Sequence, residues 1–152
     1  MMFRCADIRT SYIDGNSPSM AIYFQGCTLG CKGCQNPELQ SLDGGYLENT
    51  DVIIKILEKN KDFYKGVVFS GGDPMDQEEA LFDLLNRIDL HKTLYTGRYI
   101  KDIPASILEH VDCVVDGPFD VNQFVNGAFP ASQNQRIWNR VGKRFESNDD
   151  LF

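Results

Sequence analysis

The sequence predicts an α/β domain, built as a partial, open β/α barrel around a mostly parallel sheet. Three observations carry that expectation. Four short apolar stretches alternate with three helical patterns. The chain has 152 residues, whereas a complete eight-fold barrel takes about 250. A loop bearing cysteine, glycine or aspartate follows each predicted strand, at the end where such folds gather their functional groups. A composition of 42% hydrophobic and 24% charged residues is that of a folded globular chain, and residues 1–152 are expected to form one domain.

The first predicted strand, residues 20–24, is β-branched and aromatic and runs into Gly26 and a group of cysteines. Residues 32–46 carry Gly, Asn, Pro and Ser with little periodicity. Val52, Ile53, Ile56 and Leu57 then recur at helical spacing behind Thr50 as a cap, giving a helix of about ten residues. Residues 67–69 form a second strand ending at Ser70-Gly71-Gly72-Asp73-Pro74. The next helix opens with Asp76 and Glu79 at capping-box spacing and turns Leu81, Leu84, Leu85 and Ile88 to the core. Residues 92–95 give a third strand, residues 103–111 a short helix with Pro104 near its start, and residues 113–115 a fourth strand ending at Asp116-Gly117-Pro118. The tail, residues 146–152, reads as frayed.

Twenty-two acidic residues against fifteen basic ones leave a net charge of −7, which repels phosphate backbones and anionic lipid. Neither nucleic acid nor membrane is an expected partner. No apolar run approaches the roughly 20 residues of a membrane span, and residues 1–7 lack the order of a signal peptide, so a cytoplasmic protein is expected.

Three of the five cysteines, Cys27, Cys31 and Cys34, fall within eight positions, a spacing too tight for a disulfide framework and suited to a metal site in a reducing compartment. Chance places such a pattern only about 0.005 times in a chain of this length and cysteine content. Three thiolates on one loop can hold three irons of a four-iron, four-sulfur cluster and leave the fourth iron open to a substrate atom. The alternative is a structural zinc knot completed by Cys5 or a histidine. His91 and His110 read as ordinary surface or core histidines, and Cys113, followed by Val114 and Val115 in a predicted strand, as a buried inert thiol. Taken alone, Gly71-Gly72 reads as a tight turn, and Thr96-Gly97 and Asp116-Gly117 are weak signals.

Together these segments resemble a family. Cys27-Thr28-Leu29-Gly30-Cys31-Lys32-Gly33-Cys34, followed by Gln35-Asn36-Pro37-Glu38, is similar to the cluster loop of radical S-adenosylmethionine enzymes, and specifically of the small glycyl-radical activases. Ser70-Gly71-Gly72-Asp73-Pro74 resembles their methionine-binding motif, and Tyr95-Thr96-Gly97 the strand end that follows. Asp116-Gly117-Pro118-Phe119 and Ser132-Gln133-Asn134-Gln135-Arg136 resemble the C-terminal signatures of the activases of anaerobic ribonucleotide reductase. The likeness runs in order from about Asp14 to Trp138. Gln35 stands where the family usually carries His, Tyr or Phe, and residues 14–19 lack its second glycine and arginine.

The resemblance implies a barrel of radical S-adenosylmethionine type, a [4Fe-4S] cluster on Cys27, Cys31 and Cys34, and S-adenosyl-L-methionine held by Gly33, Gly71, Gly72, Asp73, Pro74 and Thr96. No catalytic side chain is expected beyond the cluster and the cofactor. The glycine pair would let backbone groups approach the methionine amine, and Asp73 would either add charge there or cap the helix. Asn134, Gln135 and Arg136 would touch cofactor or partner, or pin the C-terminal segment. Arg136, Arg140, Lys143 and Arg144 would steer an acidic partner or form a solvated basic face. The implied function is generation of a glycyl radical on a partner enzyme, the anaerobic ribonucleoside-triphosphate reductase, with an electron donor such as flavodoxin. The competing readings are a small radical S-adenosylmethionine enzyme acting on a small molecule, of deazapurine synthase type, and a non-catalytic metal-stabilised interaction module.

Overall fold

The computed structural model of the chain describes residues 1–12, 17–34, 36–127, 129–148 and 150–152. The sequence readings on Asp14, Gly15, Asn16 and Gln35 lie outside the described residues. The described strands are β1 (Met2–Ser11), β2 (Ser19–Phe24), β3 (Tyr46–Asn49), β4 (Gly66–Gly71), β5 (His91–Tyr95), β6 (Cys113–Asp116), β7 (Arg136–Val141), β8 (Arg144–Ser147) and β9 (Asp150–Leu151). The helices are α1 (Thr50–Lys59), α2 (Glu78–Arg87) and α3 (Ala105–Leu108). All nine strands join one sheet in the order β3-β1-β2-β4-β5-β6-β7-β8-β9.

The mostly parallel sheet expected from the sequence is corrected here. Only β2, β4, β5 and β6 run parallel, and the other five of the eight pairings are antiparallel. The parallel block is the part that the strand-and-helix alternation foretells. Antiparallel neighbours need no crossover helix, and strands with a polar alternate face carry no continuous apolar run. The alternation therefore misses β1, β3 and the β7–β9 meander. The tail is not frayed either: Phe145 is 3% exposed, its backbone N–H and C=O exchange hydrogen bonds with Phe152 at 2.9 and 2.8 Å, and the Phe152 ring lies 6.4 Å from that of Trp138.

Strand register explains where the core sits. Ile8, Ile22, Phe69, Leu94, Val114 and Trp138 lie opposite one another in a single row across six strands. Together with Ile53, Leu57, Leu81, Leu84, Leu85 and Ile107 of the helices they belong to one apolar cluster, with Ile8 packed against its edge. Each fully buried large side chain of this kind contributes about 1.5–3 kcal/mol. The neighbouring residues Ser70, Tyr95 and Val115 point to the opposite face, as strand alternation requires. That face carries the site.

Two caps differ from expectation. Asn49, not Thr50, caps α1, accepting from the Asp51 N–H at 2.9 Å, while Thr50 is buried in the first turn and Val52 is exposed. Ahead of α2 the chain makes a 3₁₀ turn, Pro74–Gln77, capped by Asp73, whose side chain accepts from the Met75 N–H. The Asp76 side chain, in that turn and not in α2, accepts from the cysteine loop.

Candidate metal and cofactor site

The cysteine loop leaves β2 at Phe24 and is held at its base by backbone and amide contacts. Buried Gln25 donates from Nε2 to the carbonyls of Glu38 and Ser41 at 3.2 and 2.8 Å. The Gly26 N–H donates to Leu39 O at 2.8 Å and the Cys27 N–H to Gln40 O at 3.2 Å. Cys27, Cys31 and Cys34 are half-buried thiols, and the Cys34 N–H bonds to Cys31 O at 3.1 Å, closing the tight turn between them.

The end of β4 is zipped onto this loop. Gly72 N–H donates to Phe24 O at 2.8 Å and Asp73 N–H to Gly26 O at 2.9 Å. Gly71 has φ +115°, and a Cβ there would stand 2.2 Å from Phe24 O; a Cβ on Gly72 would stand 2.2 Å from Gly26 O. The space left by the missing side chains is thus filled by the loop's own backbone, a reason for the glycine pair that spacing alone does not reveal.

A cavity of about 280 Å³ opens at this junction, lined by all three cysteines, by Ser70, Gly71 and Gly72, by Tyr95, Thr96 and Gly97, and by Val115, Gly117, Phe119, Phe129 and Gln135 among others. None of the described residues lining it is charged. A larger groove of about 710 Å³ lies beside Met1, Met2, Glu78, Glu79 and Phe82, but it holds no thiol and no strand-end turn. The chemistry belongs to the smaller cavity.

Of the residues expected to hold cofactor, Gly71, Gly72 and Thr96 line the cavity, while Gly33, Asp73 and Pro74 do not. Gly33 faces Val121, and Pro74 is buried at the first position of the 3₁₀ turn. Asp73, 1% exposed, lies beneath the cavity and accepts from Met75 N–H, Gly97 N–H and the Thr96 hydroxyl at 2.9 Å each. It ties the β4 turn to the β5 loop. Burial raises its pKa above the ordinary carboxylate value, against the lowering effect of those donors.

The C-terminal signature mainly pins the chain. Asn134 Nδ2 donates to Pro118 O at 2.8 Å and Gln135 Nε2 to Gly117 O at 3.1 Å; of the two, Gln135 also lines the cavity. Arg136 pairs with Asp150 at 2.5 Å and covers the Trp138 ring, and Arg140 donates to the carbonyls of Leu108 and Val111, so half of the expected basic face is spent internally. Lys143 and Arg144 are exposed. Buried Asp116 accepts from the Ile100 N–H at 2.8 Å.

The residues present fit an iron-sulfur cluster. Three soft sulfur donors face one uncharged cavity and none is in a disulfide. Burial, with the charges of Asp73 and Asp76 nearby, raises the Cys27 pKa, so that thiol gives up a proton when it takes a metal. Among the described residues no three His, Cys, Asp or Glu side chains converge on one ion; a multi-iron cluster takes one thiolate per iron and needs no such convergence. Cys5 is fully buried in the core with its Sγ 3.5 Å from Asp7 O, His110 stacks edge-on against Phe82, His91 is exposed, and none of the three lines the cavity. The zinc knot has no fourth ligand among them.

The chain matches the 4Fe-4S single cluster domain over residues 13–138. It belongs to that family. Its similarity to anaerobic ribonucleoside-triphosphate reductase-activating proteins is 31% identity over 139 residues for that of Vibrio cholerae, covering 82% of this chain and 90% of the relative. For that of phage T4 it is 24% over 139 residues, covering 86% and 89%. The pyruvate formate-lyase-activating enzyme of Clostridium pasteurianum is 32% identical over 110 residues, and the family member described here spans about half of it, 46%. The crystal structure of QueE from Escherichia coli shares the fold, with a TM-score of 0.57 and 17% identity, over 78% of this chain and 60% of that one. The resemblance to activases read from the motifs is therefore borne out. Among the described residues no helix is long and apolar enough to cross a membrane.

Proposed function

We propose that this chain is a radical S-adenosylmethionine activase that generates a glycyl radical on an anaerobic ribonucleoside-triphosphate reductase. The observation that carries this reading is the meeting of three thiols and the β4 glycine turn in one cavity with an exposed apolar rim. Cys27, Cys31 and Cys34 would hold three irons, and Gly71, Gly72 and Thr96 would border the methionine end of S-adenosylmethionine. Bound there, a reduced cluster and S-adenosylmethionine would supply the one-electron chemistry that removes a hydrogen atom from a partner's glycine. Buried Asp73 and Pro74 act beneath that surface, fixing the β4 turn, while exposed Gly33 sits between Cys31 and Cys34 on the loop.

Leu29 and Phe129 line the cavity yet stay 41% and 61% exposed. An apolar rim facing outward suits an extended loop of a partner better than a small polar metabolite. A single sheet that ends in two free edges, β3 and β9, supports the open, partial-barrel reading and one domain for the whole chain; an electron donor such as flavodoxin and a cytoplasmic setting belong to the same proposal.

Anaerobic reconstitution tests the site. Wild type should assemble one four-iron cluster per chain. Cys27→Ala, Cys31→Ala and Cys34→Ala should each lose it, and Cys5→Ala and Cys113→Ala should keep it. A colourless wild-type protein holding one zinc would move the chain to the interaction-module class.

A further inference from the structure

We propose that Asp76 is a positioning residue for the cysteine loop, clamping the chain on the far side of Cys27 and holding a negative charge beside that ligand. The inference rests on the reading of the loop as a cluster site. Thr28, the residue after Cys27, donates its backbone N–H to Asp76 Oδ2 at 2.8 Å and its hydroxyl to Oδ1 at 3.0 Å. The residue before Cys27 is held from the same turn, because Gly26 O accepts from the Asp73 N–H at 2.9 Å. Cys27 is thus bracketed by two attachments to the segment between β4 and α2.

Asp76 is itself anchored. Its backbone N–H donates to Asp73 O at 3.1 Å, and Oδ1 accepts from the Arg98 guanidinium at 2.7 Å, with the Asp76 side chain only 11% exposed. Arg98 leads out of the β5 loop, so one carboxylate joins the cysteine loop to the loops after two parallel strands. An apolar contact runs alongside: Leu29 covers Gly97 so closely that a Cβ there would stand 2.1 Å from Leu29 Cδ1. Charge-assisted bonds to a largely shielded carboxylate are the stronger kind. A negative charge near a cluster opposes its reduction, and the neighbouring guanidinium offsets part of that effect.

Two kinds of readout test the proposal. In the metal-free protein, amide hydrogen exchange over residues 28–34 should be faster in Asp76→Ala than in wild type by about tenfold or more, with exchange in β4 and α1 unchanged. After reconstitution, Asp76→Ala should lose iron to a chelator several-fold faster. Asp76→Asn keeps one acceptor for Thr28 and serves if the alanine variant does not fold; it removes the charge and leaves Arg98, so the cluster's midpoint potential should move to a less negative value. Unchanged exchange over residues 28–34 in Asp76→Ala, or an unmoved potential in Asp76→Asn, overturns the proposal. Failure of the wild type to assemble a cluster would count against the proposed function, while metal-free exchange would still decide the clamp.

Discussion

Asp73 is a carboxylate with three donors and almost no water, and its two opposing influences make a measurable prediction. The hydrogen bonds from Met75, Gly97 and Thr96 favour the charged form, but burial outweighs them and raises the pKa. A raised folded-state pKa means that the folded chain binds the proton more readily than the unfolded one. Asp73 therefore stabilises the fold at pH below the ordinary carboxylate value, and that contribution is lost as pH rises through the folded value. Asp73→Asn should be less stable than wild type by about 1–3 kcal/mol at pH 7, since the amide places a donor against the Gly97 or Thr96 donors. In urea unfolding of the metal-free protein, the gap should widen as pH falls toward the ordinary carboxylate value; a gap that narrows would show that the donors, not burial, set the pKa. At this scale the sequence shows which residues carry chemistry but not which of them touch the cavity. The three cysteines are legible because metal ligation demands a local spacing. Asp76 is not, because its partners Thr28 and Arg98 lie 48 and 22 positions away and only the fold brings them together.

Among the elements, the parallel strands are legible because burial on both faces writes them as apolar runs such as Val67, Val68 and Phe69. The meander at the C terminus is hidden because β7 alternates Trp138 with Asn139 and Arg140, and β8 sets Phe145 between Arg144 and Glu146. Phe145→Ala should cost about 3–5 kcal/mol in equilibrium unfolding, a loss that a frayed tail would not show. The glycine turn makes a sharper case. Gly72→Ala should lower stability by about 1–3 kcal/mol and weaken iron retention as well as cofactor binding, because the added carbon meets the carbonyl of Gly26, next to Cys27. Iron content equal to wild type, with only S-adenosylmethionine affinity reduced in titrations of the reduced cluster, would mean that the loop yields freely and that the pair serves the cofactor alone.

Over the whole molecule, helices cover one face of the sheet while the other, at the ends of its parallel strands, holds an uncharged cavity ringed by exposed Leu29 and Phe129. Such a site can bind and orient a cofactor, but with no enclosing wall it cannot by itself hold a hydrogen donor against the adenosyl carbon, and positioning is the larger part of such a step. Without a partner, the reduced protein should cleave S-adenosylmethionine slowly at most and leave no lasting organic radical. The most direct test mixes the reconstituted protein, a reductant and S-adenosylmethionine anaerobically with the anaerobic ribonucleoside-triphosphate reductase, and follows 5′-deoxyadenosine and the electron paramagnetic resonance spectrum together. The account predicts a glycine-centred radical on the reductase whose hyperfine splitting collapses when glycine is deuterated at its α-carbon, and which persists after the two proteins are separated. Stoichiometric 5′-deoxyadenosine formation driven by a small metabolite that is itself converted, with no radical on the reductase, would contradict it.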